Sequence, residues 1–306
     1  MTFSRNQIIG VFLGLLGTVL FSTKGILIKI AYEYQVDTLS LLMLRMGFSL
    51  PFYMGMILFH LKNDKFMQLP NKDKFTIFIL GMVGYYLSSF LDFLGLQYIS
   101  ALLERLILFI YPTLVVLMSA LIYKRQIPKS QIIALILTYS GISLALFTDF
   151  SFQERNFALG AGLVFLAAFC YAWYLIGSGK YIPMIGSTIY TAYVMIFACL
   201  GIMLHFFIFS EADIKSFSAP VYQIGLFMSL AATVLPSFMI SKSISLLGAD
   251  NAAIVATTSP ITTIILAYFV LNESVTFWQI IGTVLVLAGV TIIALGKNKK
   301  KDELEI

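Results

Sequence analysis

The sequence predicts an all-α integral membrane fold: ten transmembrane helices arranged as two inverted five-helix halves. Three observations predict it. Residues of the AVILMFWYC set make up 59% of the chain and charged residues only 11%, against roughly a quarter charged in a soluble domain; mean hydropathy is +0.93. The apolar residues run in long blocks rather than amphipathic stripes. The second half of the chain also repeats the pattern of the first at an offset of 148 residues.

A helix needs about 20 apolar residues to cross about 30 Å of hydrocarbon. Ten stretches qualify, at roughly 8–31, 39–61, 75–99, 101–123, 130–146, 159–181, 186–208, 221–241, 251–271 and 277–295. The first follows Arg5 and is too long for a signal-peptide core, with no clean cleavage site after it, so it is expected to be retained. The third and fourth nearly touch, and the fifth is short. Cys170 and Cys199 both lie inside apolar runs, which argues for free buried thiols rather than a disulfide framework.

Loop charges orient these spans. With the amino terminus in the cytoplasm, Arg5, Lys62, Lys65, Lys72, Lys74, Lys124, Arg125, Lys129, Lys180, Lys242, Lys297, Lys299, Lys300 and Lys301 fall inside, and only Arg155 and Lys215 outside. The outer loops carry Glu33, Asp37, Asp149, Glu154, Glu211, Asp213 and Glu273 instead. Positive residues mark the cytoplasmic side, so both termini are expected there, in a bacterial inner membrane. The net charge of +5 is then a topological signal and not a nucleic-acid patch.

The repeat aligns 96–146 with 244–294 without a gap: Ala101 on Ala249, Pro112 on Pro260, Gln131-Ile132-Ile133 on Gln279-Ile280-Ile281, Leu137 on Leu285 and Gly141 on Gly289. A mid-span proline followed 29 residues later by glycine recurs in both halves. An odd number of spans per half turns the second half upside down, the usual architecture of alternating-access carriers with a site near the repeat interface.

The runs FSTKGILIKIAY, LDFLGLQYISALLERLILFIYPTLVVL and GADNAAIVATTSPITTIILAYFVLNE resemble the EamA branch of the drug/metabolite transporter superfamily. The resemblance covers a first unit at 1–147 (helices 1–5) and a second at 158–296 (helices 6–10), leaving 297–306 as a cytoplasmic tail. It implies a ten-helix basket whose central cavity is formed by helices 1, 3, 4, 6, 8 and 9, with helices 5 and 10 bracing the basket or a homodimer. It also implies efflux or exchange of small metabolites. One departure is Asn272-Glu273, where many second units carry Gly-Glu.

Ionisable residues inside a span are costly and default to functional roles. Six occur, Lys24, Lys29, Arg45, Asp92, Glu104 and Arg105, all in the first half. A rise of 1.5 Å per residue puts all six in the outer third of the bilayer, as one layer. Helical facing sets Lys24 on the row Gly10, Gly14, Gly17 and Phe21, whose glycines permit close backbone approach. It groups Asp92 with Tyr85, Ser88 and Ser89, and Glu104 with Leu108 and Tyr111. Four cations against two carboxylates leave this layer near +2. Either Asp92 and Glu104 pair with two cations to latch the outer end, or a surplus cation, Lys24 or Arg45, binds an anionic substrate group. In a variant of the second reading a carboxylate relays protons. A latch and a gate are compatible.

Softer signals follow. Thr257, Thr258, Ser259, Pro260, Thr262 and Thr263 give the ninth span a small polar middle, read as cavity lining in preference to tight packing. Trp173, with Tyr171 and Tyr174, offers a π face to a ligand or belongs to the interfacial belt. Pro112, Pro236 and Pro260 are expected hinges. His60 and His205 lack metal-ligand company, and no phosphate-binding loop is present, so neither metal, cofactor nor direct ATP drive is expected. The expected activity is secondary transport, export of a small metabolite such as an amino acid, nucleoside or organic anion. A passive facilitator is the alternative; an intramembrane enzyme would need a nucleophile or metal constellation that is not found.

Overall fold

The computed structural model describes residues 5–60, 64–122, 124, 127, 129–147, 156–247, 255 and 258–302. All regular structure among them is helical. In chain order the helices are α1 (Arg5–Glu33), α2 (Thr38–His60), α3 (Asn71–Gly81, a π-helical turn Met82–Leu87, then Ser88–Gly95), α4 (Ala101–Leu108) and α5 (Tyr111–Ile122). There follow α6 (Lys129–Phe147), α7 (Phe157–Ile185), α8 (Ser187–Phe209), α9 (Ala219–Ser229, a π-helical turn Leu230–Val234, then Leu235–Leu247), α10 (Thr258–Leu271) and α11 (Phe277–Asp302).

Seven of the described helical segments are long and apolar enough to cross a membrane: 6–33, 38–60, 71–95, 101–122, 157–185, 187–209 and 219–240. Three shorter apolar helices, at 131–145, 258–271 and 277–292, occupy the positions expected of the fifth, ninth and tenth spans. The last helix also runs on to Asp302, past the expected start of a tail at 297.

Large apolar side chains point outward all around the bundle, with Phe59 92% and Phe269 75% exposed. In a lipid solvent this is the expected finish, because helices there gain little from hiding apolar surface and associate instead through close packing. Glycine supplies that packing. A Cβ on Gly14 would lie 2.6 Å from Ser243 Oγ, and one on Gly10 2.7 Å from Leu247. The α1 glycine row is therefore seated against α9, and the Ser243 hydroxyl donates across the seam to the Gly10 carbonyl at 2.8 Å. In the same way Gly84 and Gly95 of α3 receive Tyr174 and Val164 of α7.

Helices α6 and α11 approach most closely. A Cβ on Gly141 would meet the Gly282 carbonyl at 2.5 Å, and one on Gly289 the Ala134 carbonyl at 2.6 Å. As 134 rises to 141, its partner falls from 289 to 282, so the two helices run antiparallel. The contacts are also reciprocal under the 148-residue offset, which carries 141 to 289 and 134 to 282. The two π-helical turns begin at the same offset, at Met82 and Leu230.

Candidate functional site

The fourth expected span is interrupted. Pro112 has no N–H, and its ring would clash with the Leu108 carbonyl four residues back. The helix accordingly ends at Leu108, turns through Phe109 and Ile110, and restarts at Tyr111. What precedes the break is the short helix α4, capped by the Ser100 side chain, which accepts from the Leu103 N–H at 3.2 Å. A second cap comes from the other half of the chain: Glu273 Oε1 accepts from the Ala101 N–H at 3.0 Å. Glu273 reaches there because Asn272 ends α10 at φ 53°. That left-handed conformation is cheap for glycine and tolerated by asparagine, so Asn272 suits this turn.

Helix α4 delivers Glu104 and Arg105 into the interior. Lys24 Nζ lies 2.5 Å from Asp92 Oδ2 and 3.7 Å from Glu104 Oε1, while Arg105 Nε lies 3.8 Å from Glu104 Oε2. All four side chains are buried, with Glu104 wholly so. The ring of Phe21 sits beneath both cations, 5.7 Å from Lys24 Nζ and 5.8 Å from the Arg105 guanidinium carbon. Gly25 gives Glu104 its room, since a Cβ there would stand 3.3 Å from Oε2. Two cations and two carboxylates thus close on themselves and join α1, α3 and α4.

Arg45 stands apart from that quartet. It is 3% exposed, and none of the described carboxylates comes within the 4.0 Å of an ion pair. Its Nε donates to Thr233 Oγ1 at 2.9 Å, and its guanidinium lies 5.3 Å from the centre of the Phe93 ring. Thr233 belongs to the π turn of α9, and its hydroxyl hydrogen goes to the Met228 carbonyl five residues back, at 3.0 Å. The oxygen is left to accept from Arg45. Pro236 follows this turn, and the widened backbone absorbs its missing N–H.

Two further hydroxyl contacts join α2 and α9, one on either side of Thr233 along α9. Ser49 and Ser229 pair at 2.9 Å, then Tyr53 and Ser237 at 3.2 Å. Below Ser237 opens a cavity of about 350 Å³ lined by Met56, Ser187, Thr188, Thr191, Ser237, Phe238 and Lys242. Arg45, Ser49, Tyr53 and Met56 follow one another at helical spacing on one face of α2.

The other expected residues are distributed around these features. Tyr85 and Tyr111 join an aromatic patch with Tyr171 and Tyr174, with Tyr85–Tyr174 ring centres 5.0 Å apart and Tyr111–Tyr171 5.1 Å apart. Trp173 does not join it: it is 47% exposed, on the outward stripe of α7 with Phe165, Leu166 and Phe169. Two residues on, the helix turns Tyr171 inward and Trp173 out, so the lipid-facing alternative fits its position. Ser88 donates to the Ala167 carbonyl at 2.9 Å, and Ser89 is half-buried. Ser259 pairs with Ser22 of α1 at 2.9 Å, a helix-to-helix contact where cavity lining was expected. Pro260 is buried in the first turn of α10. Thr257 lies outside the described residues.

Sequence inspection missed the contacts at the opposite end of the bundle. Tyr193 donates to Asp64 Oδ2 at 2.5 Å, and Phe66 stacks on the Tyr193 ring at 3.7 Å. Lys180 Nζ and the Tyr181 hydroxyl both donate to Asp73 Oδ1 at 2.9 Å. These partners lie more than 100 residues apart, and no local pattern announces them. The positions of Ser49 and Tyr53 were detectable, since they sit four and eight residues after Arg45.

Apolar helices long enough to cross a membrane thus surround buried ion pairs and polar contacts, a membrane-protein fold. The EamA-like transporter family model matches residues 8–147 and again 158–295, and the chain belongs to that family. It is 30% identical to the uncharacterized transporter YcbK of Bacillus subtilis, over 97% of this chain and 95% of that one. The uncharacterized transporter YyaM of the same organism is 23% identical over 77% of this chain and 79% of its own. A solved crystal structure shares the fold with a TM-score of 0.67 at 13% identity, covering 95% of this chain and 98% of that one.

Proposed function

We propose that the protein is a secondary transporter working by alternating access, built from two inverted five-helix halves, and that it exports a small metabolite across the bacterial inner membrane. The inversion is supported by the antiparallel, reciprocal packing of α6 on α11 and by the matched π turns. The observation that carries the mechanism is the unequal state of the two ends. Toward one end the interior is sealed by the Lys24–Asp92–Glu104–Arg105 quartet; toward the other a cavity of about 350 Å³ opens beside Lys242. The loop charges make the open end cytoplasmic, so this conformation faces inward with its outer gate closed.

Opening that gate separates ion pairs in a medium of low dielectric, which is costly unless substrate or a proton compensates. Proton coupling through Asp92 or Glu104 is one means, and substrate exchange is another. The test is flux in proteoliposomes against a panel of amino acids, nucleosides and organic anions, with and without a pH gradient. Saturable uptake of at least one solute is expected, and an Asp92→Asn variant should lose it. Absence of saturable flux across the panel would overturn transport; full flux with unchanged pH dependence in Asp92→Asn would remove Asp92 from the gate.

A further inference from the structure

We infer that Arg45 heads a binding site for a carboxylate group of the substrate, reached from the cavity past the hydroxyl contacts of α2 and α9; the inference rests on the transport reading above and deepens it.

A guanidinium cannot shed its charge in a protein, and a buried charge without a partner is expensive. Lys24 meets that cost with Asp92 at 2.5 Å, and Arg105 has Glu104 within 3.8 Å, though its Nε and Nη2 make no hydrogen bond among the described residues. Arg45 has no carboxylate at ion-pair distance among the described residues, and Asp92 is already held by Lys24 at 2.5 Å. One hydrogen bond to Thr233 and the face of Phe93 are what it receives. Its Nη1 has no hydrogen-bond partner among the described residues. With Nε engaged, the remaining donors are the paired Nη groups, whose planar fork matches the two oxygens of a carboxylate.

Charge decides the class of anion. The quartet sums to zero, and Arg45 itself carries one positive charge with no carboxylate at ion-pair distance among the described residues. A monocarboxylate neutralises it, whereas a phosphate dianion would carry one charge into the interior uncompensated. The way between the cavity and Arg45 carries hydroxyls beside the apolar Met56 and Phe238. Arg45 lies 11 residues from Met56 on α2, about 16 Å at 1.5 Å per residue. Over that length Ser49, Ser229, Tyr53 and Ser237 supply hydroxyls, and Lys242 stands at the cavity. A carboxylate entering beside Lys242 passes the Tyr53 and Ser229 hydroxyls, which can turn to it, while those of Ser49 and Ser237 donate to the Arg45 and Val234 carbonyls.

The test uses the purified full-length chain in detergent and, in parallel, in proteoliposomes. The probes are the protein amino acids and short organic acids, each paired with its neutral amide, together with inorganic phosphate. At least one carboxylate should raise the melting temperature of the wild type while its amide does not. Arg45→Gln should abolish the shift, and Arg45→Lys should keep it with half-saturation weakened about tenfold, because charge remains but the fork is lost. Should Arg45→Gln fail to fold, Ser237→Phe narrows the route without touching Arg45 and should weaken the same shift. An amide shift equal to its carboxylate's, a shift that persists in Arg45→Gln or is unchanged in Ser237→Phe, binding of phosphate in place of carboxylates, or no shift across the panel would each overturn the site. Binding without flux would leave the site standing and remove transport. Flux indifferent to Arg45 would do the reverse.

Discussion

Asp92 holds Lys24 at 2.5 Å in a wholly buried setting, so its carboxylate matters more to stability than any surface charge of the chain. Replacing it with asparagine leaves Lys24 facing only Glu104 at 3.7 Å, and stranding a buried ion typically costs about 3–5 kcal/mol. A lower melting temperature of the purified Asp92→Asn protein is the expected outcome. Removing both charges, as Lys24→Met with Asp92→Leu, should recover most of that loss while transport stays abolished. If the single variant melts with the wild type, the quartet contributes no latch. At this scale the sequence was informative about identity and silent about partnership. Six charged residues in apolar spans are conspicuous in any reading, and Lys24, Asp92, Glu104 and Arg105 do meet. That Arg45 is left out, and finds Thr233 in the other half, depends on the crossing of α2 with α9.

Helix α4 is short because Pro112 ends it, and that break sets the position of Glu104 and Arg105 relative to Lys24. Substituting Pro112 with alanine restores an N–H for the Leu108 carbonyl and removes a ring worth about 3 kcal/mol against helix continuity. The variant should fold at least as stably as the wild type, yet transport should fall at least about tenfold as the two helices merge. Undiminished flux would show that the break is no hinge. The α6–α11 seam offers a contrasting test. Gly282→Leu places side-chain atoms where the Gly141 carbonyl stands at 2.5 Å, and overpacking of this sort costs on the order of 1–3 kcal/mol. Its melting temperature should drop, whereas Gly162→Leu, with open space around it, should leave stability unchanged. The proline break was foreseeable from one residue. The π turns at Met82 and Leu230 were not, because a bulge of one extra residue leaves no distinct composition behind it.

For the whole molecule, the proposed inward-facing arrangement predicts which surfaces water reaches. In a chain with Cys170 and Cys199 changed to serine, a cysteine at Thr188 or Thr191 should react with an impermeant maleimide in inverted vesicles but not in intact cells. A cysteine at Gln35 should do the opposite, and a swapped result would reverse the orientation drawn from the loop charges. The sequence by itself determined that this chain is a helical membrane protein, where nearly every apolar segment falls, and which residues carry charge into the bilayer. These follow from solvation, which acts on each segment separately and is recorded in local composition. Only the tertiary structure decided that Trp173 faces outward and Ser259 pairs with Ser22. It likewise decided that the ion quartet closes without Arg45, and that Asp64 ties to Tyr193 of α8 and Asp73 to Lys180 and Tyr181 of α7. Such facts depend on helix rotation and crossing, set by glycine seams and bulges between segments far apart in the chain, and a one-dimensional pattern holds no term for them.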